Sequence, residues 1–139
     1  MSNHDTIPAL IRAALRSDSV LLQRLSGRIH YQYIPQDSAY PHVFFTVQSR
    51  DHEDLIDPNE RGLQTMRFIV EVVQEASSPN YDTLTRIENK LNGLEGAKDG
   101  IVIWVTEVSD VDDQYEFKSA DSDALFVHGF TVQVYFTED

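Results

Sequence analysis

The chain has no cysteine. That excludes a disulfide framework, thiolate nucleophiles and cysteine-based zinc sites together. It also lacks a glycine-rich loop opening a helix, because Gly93, Gly96 and Gly100 follow a predicted helix instead of preceding one. No Gly-x-Ser-x-Gly is present, so Ser26, Ser77 and Ser78 read as turn and cap residues. No apolar run approaches the roughly 20 residues of a membrane span. The opening Met-Ser-Asn-His-Asp has neither the basic start nor the apolar core of a signal peptide, so the expectation is a chain made in the cytoplasm with no membrane partner. Basic residues are few, 11 Lys and Arg against 23 Asp and Glu, for a formal net charge of −12. Such a surface repels phosphate backbones and argues against sequence-independent nucleic-acid binding, while leaving open the passage of DNA without a grip on it.

What is present is a globular composition. In 139 residues, 41% are hydrophobic and 24% charged, with seven Phe, six Tyr and one Trp, enough for one domain with a single core. The clearest stretch runs from Arg67 to Leu94, where the hydrophobic period changes from two to about three and a half. Phe68, Val70 and Val72 mark one face of a strand. Ser78 with Pro79 offers a helix start, Tyr81, Leu84, Ile87 and Leu91 a stripe, and Asn92-Gly93 a left-handed end.

Upstream, Asp5 or Thr6 can cap a helix with Pro8 in its first turn and Ile7, Leu10, Ile11, Ala14 and Leu15 as its stripe, ending near Ser17. A short turn follows over Ser19–Leu25, closed by Gly27, and then a strand over Arg28–Ile34. Strands are predicted at His42–Arg50, Leu63–Glu75, Ile101–Val108 and Leu125–Thr137. The pattern amounts to α+β: an antiparallel sheet of about five strands with two helices on one face, in the order α-β-β-β-α-β-β.

Two acidic stretches interrupt it. One holds Asp51, Glu53, Asp54, Asp57 and Glu60; the other Asp110, Asp112, Asp113, Glu116, Asp121 and Asp123. Each reads as an exposed loop or hairpin tip. Neither matches a calcium loop, and a solvated charge run is the plainer reading than a metal site. The five His, at 4, 30, 42, 52 and 128, form no ligand pair at helical spacing, and His30 and His128 on predicted strands read as packed or hydrogen-bonded residues. Tyr31, Tyr33, Phe45, Phe68, Trp104, Phe126 and Phe130 lie on predicted strands without interleaved Lys or Arg, which favours a core over a base-stacking surface. No residue set calls for catalysis, a cofactor or a metal.

Certain phrases resemble a known family. They are Ser17-Asp18-Ser19-Val20-Leu21-Leu22-Gln23-Arg24-Leu25-Ser26-Gly27-Arg28-Ile29, then Ile34-Pro35, Tyr40-Pro41-His42-Val43, Arg67-Phe68-Ile69-Val70-Glu71-Val72 and Lys90-Leu91-Asn92-Gly93-Leu94. In order and spacing, over nearly the whole chain, they resemble the tail completion or tail terminator proteins of long-tailed bacteriophages, prophages and gene transfer agents. The resemblance implies a non-enzymatic virion subunit that assembles with itself, typically as a hexameric ring, on the head-proximal end of the tail tube. Its implied partners are the tail tube protein and a head-tail connector or head-closure protein, with DNA passing through the lumen. The acidic residues named above are the expected contacts with lumen, tube or connector. Another neck component is the nearest alternative. A cytosolic small-molecule-binding domain would need a pocket with convergent polar groups.

Overall fold

A computed structural model describes residues 3–35, 38–52, 63–77, 80–110, 114–117 and 124–138, with the backbone alone at 3, 4, 51, 52 and 114–117. The elements are α1 (Asn3–Arg16), α2 (Ser19–Leu25), β1 (Ile29–Tyr31), β2 (His42–His52), β3 (Gln64–Glu75), α3 (Tyr81–Leu91), β4 (Gly96–Lys98), β5 (Ile101–Asp110), β6 (Gln114–Phe117) and β7 (Ala124–Glu138). The strands are ordered β1-β2-β3-β7-β5-β4, with β6 paired to β7 beside that path.

The middle of the sheet follows from period-two sequence. Phe68 stands between Val47 and Val132, Val70 between Phe45 and Phe130, and Val72 between Val43 and His128. These side chains share one face, since alternate residues of a strand point the same way. Against that face lie the stripes of the three helices: Ile7, Ile11 and Leu15 from α1, Leu21 and Leu25 from α2, and Leu84, Ile87 and Leu91 from α3, all in one buried cluster with the strand residues. Among the described residues no helix covers the other face. There Phe44, Ile69, Thr131, Gln133 and Tyr135 are half-buried, and a small cluster of Val73, Leu125 and Val127 packs with Tyr40 near one end.

The α+β class stands, but the expected element count and the wholly antiparallel pairing do not. Ser19–Leu25 is a true helix: Asp18 caps it by accepting from the Val20 and Leu21 amides at 2.9 and 3.1 Å, and Ser26 closes it in the left-handed region at φ 50°. β1 is shorter than the expected Arg28–Ile34 because Gln32 turns out at φ 63°, and it pairs parallel to β2, Ile29 opposite Val43. An unforeseen strand, β4, forms a hairpin with β5 through Asp99 and Gly100 at φ 51° and 82°. Positive φ at both central residues is the turn that Asp-Gly favours between twisted strands. β6 occupies part of what reads in sequence as an acidic loop.

Two helix starts also move. α1 begins at Asn3 and not at Asp5 or Thr6, placing Pro8 inside the helix beyond its first turn. α3 is capped by Asn80, whose side chain accepts from the Thr83 amide at 3.3 Å, and not by Ser78, which lies outside the described residues. The reason is Gln74, only 3% exposed at the end of β3. Its carboxamide accepts from the Asn80 amide and donates to the Asn80 carbonyl, fixing where the chain enters the helix.

Candidate interaction surfaces

The predicted acidic residues divide sharply. Glu53, Asp54, Asp57, Glu60, Asp112, Asp113, Asp121 and Asp123 lie outside the described residues, and Asp51 and Glu116 are placed by backbone only, in β2 and β6. Asp110 is exposed at the end of β5, where it accepts from His128 Nε2 at 3.0 Å; that imidazole is 13% exposed and packs edge-on against Phe130. The expectation of a hydrogen-bonded His128 therefore matches the structure. The register places the described residues that border the two acidic stretches. His52 and Gln64, at the borders of the first, sit level with Phe136 of β7, whereas Asp110, where the second begins, pairs with Phe130, and Ala124, just after it, pairs with Phe117. At about 3.3 Å per residue Phe136 and Phe130 are roughly 20 Å apart along β7.

Other charged groups are structural. Asp82 accepts from Arg24 at 2.8 Å and from Arg86 at 2.9 Å, and Arg86 also reaches Asp18 at 3.1 Å, so the chain of four joins α2 to α3. The Leu21 amide and then Arg86 hold the Asp18 carboxyl below its ordinary range, and Arg24 and Arg86 do the same for Asp82. His30 and His42 lie 5.8 Å apart between ring centres. Burial lowers the pKa of both, reinforced at His30 by Arg12 and Arg28. His42 Nδ1 donates to the Ala39 carbonyl at 3.2 Å and His30 Nε2 contacts the Ser38 hydroxyl at 3.0 Å. Among the described residues no three His, Asp or Glu side chains gather as a metal site would require. An open cleft of about 310 Å³ is bordered by Arg24, Tyr40, Gln74, Asn80 and Thr83, but Arg24 and Gln74 already spend their polar groups on Asp82, Thr83 and Asn80.

Two surfaces went unread in the sequence. Trp104 and Tyr33, expected among the core aromatics, are 55% and 71% exposed. Trp104 is the extra residue of a bulge: Ile103 pairs with Phe136 and Val105 with Tyr135, leaving no partner opposite it. Its indole N–H donates to the Thr137 hydroxyl at 2.9 Å. Val105 beside it is also exposed, as is Glu107 further along β5. The sequence signal was a break in phase, with buried Ile101 and Ile103 followed by buried Thr106. At the opposite margin Arg12, Arg28 and Arg50 surround β1, close enough for the first two to influence His30 and the third Tyr31. Arg12 and Arg16 also line a shallow groove on α1 with Ala9 and Ala13.

No family model and no curated protein matches this chain. Solved structures do. One chain, from a structure described as the virion of a native gene transfer agent particle, aligns over 92% of this chain and 93% of its own with a TM-score of 0.54 at 16% identity. A second aligns over 94% of each chain with a TM-score of 0.51 at 15% identity. Identities this low speak to fold, and nearly the whole of this chain has the fold of a chain in a gene transfer agent virion.

Proposed function

We propose that this protein is a structural subunit of a phage-related virion, and that it caps the head-proximal end of the tail tube as a ring, typically of six copies. The observation that carries the reading is the fold likeness, over 92% of the chain, to a chain of a gene transfer agent virion. The phrases from Ser17 to Ile29 and from Lys90 to Leu94, which resemble those of tail terminators, support the finer role. The cap ends tube polymerisation and offers the connector or head-closure protein its docking surface. Acidic stretches bordering the lumen would repel phosphate and let DNA slide.

The test is assembly with a tail tube protein, followed by electron microscopy. A ring at one end of each tube, with growth halted there, is the expected outcome. Tubes that keep elongating with no ring at their ends would overturn the capping role. A ring that joins the connector while tube growth is unaffected would assign the protein to head closure instead.

A further inference from the structure

The two margins of the sheet differ in chemistry. From Trp104 onward β5 lies beyond the reach of β4, whose pairing stops at Ile103. This margin presents exposed Trp104 and Val105 with Glu107 beside them, and Glu95 and Asp99 are exposed near the hairpin, against Lys98 and against Arg67, which lines one recess with Glu107. The β1 margin inverts the sign. Arg12 and Arg16 make no salt bridge among the described residues, the Arg12 Nε is buried without a partner there, and Tyr33 and Ile34 are exposed just past the strand. Asp5 is the one carboxylate sharing the groove with Arg12 and Tyr31. In a chain of net charge −12 a cluster of arginines is a local exception, and the complement it calls for is acidic and partly apolar. The β5 margin of a second copy has that character.

We infer that copies of this chain join margin to margin, with Trp104, Val105 and Glu107 of one copy seated against Arg12, Arg16 and Tyr33 of the next. The contact is heterologous, because each copy offers two different patches, one on β5 and one on α1 with the chain just past β1, and such contacts propagate into a ring or a filament. Burying Trp104 and Tyr33 supplies the apolar area, and the paired charges set the register. The inference rests on the ring proposed above and assigns the surfaces that close it.

The absence of native cysteine gives a clean test. Full-length Val105→Cys and Tyr33→Cys chains, mixed and mildly oxidised, should yield the mixed disulfide well beyond the statistical share set by the two self-disulfides. Adding Glu107→Arg to the first chain should cut that yield roughly tenfold, and pairing it with a second chain that also carries Arg12→Glu and Arg16→Glu should restore it. A statistical product ratio, or a yield indifferent to charge reversal, would overturn the inference. Tube capping by the Glu107→Arg chain at the unsubstituted level would sink the margin assignment while leaving the capping role intact. Specific trapping without capping would do the reverse. Retention of the chain on a polyanion column that disappears with Arg12→Glu and Arg16→Glu, without specific trapping, would hand the basic margin to nucleic acid and also overturn the inference.

Discussion

Gln74 occupies a core-phase position, two residues past Val72, where an apolar side chain would be the default. A buried amide there is tolerable because both of its polar ends are used on the backbone of Asn80. Replacing it with methionine keeps much of the volume and strands the Asn80 N–H and C=O. The expected loss is about 1–3 kcal/mol, the penalty of unsatisfied backbone groups, read as a lowered denaturation midpoint with an unchanged slope. Asn80→Ala, which removes only the cap, should cost about 1 kcal/mol. The sequence did carry this signal, as a polar residue in the apolar phase of β3. It went unread because Ser78-Pro79 is the stronger local helix-start pattern, and local pattern says nothing of a side chain reaching across from a neighbouring strand.

Among the elements, those specified by their own periodicity were legible: β2, β3, α3 and β7 all appear where the alternation or the three-four spacing puts them. Those specified by partners were not. The parallel pairing of β1 depends on where β2 enters the sheet, with Val43 beside Ile29, a position no periodicity encodes. The exposure of Trp104 depends on a bulge against β7. β4 falls between these cases, since Asp99-Gly100 is a hairpin signature in its own right. A Cβ added at Gly100 would meet nothing within 4 Å, so only its φ of 82° opposes a side chain. Gly100→Ala should therefore destabilise by about 1 kcal/mol through backbone strain alone, measured by equilibrium unfolding, and Gly100→Asn, which tolerates that region better, by less.

At the scale of the molecule, acid acts on stability in two stages. His30 and His42 have lowered pKa values in the fold, so as pH drops below about 6.5 the unfolded chain takes up protons first and stability declines until the folded-state pKa values are passed. Asp18 and Asp82 are also lowered, and their contribution is present above about 3.9 and lost as pH falls through their folded values. A His30→Gln, His42→Gln chain should show a flatter melting temperature between about pH 7 and 5 than the unsubstituted protein, with the lower stage retained. Equal slopes in that interval would refute the assignment. The bulge has a consequence of another kind, one of parity. Dropping or adding a residue within a sheet strand ordinarily exchanges its inner and outer faces from that point on. At Trp104 the odd residue is already present, and its removal would bring Ile103 and Val105 into consecutive register against Phe136 and Tyr135 with every other side chain on its present face. The fold can count without this tryptophan, which makes its place on the surface a question for whatever meets that surface.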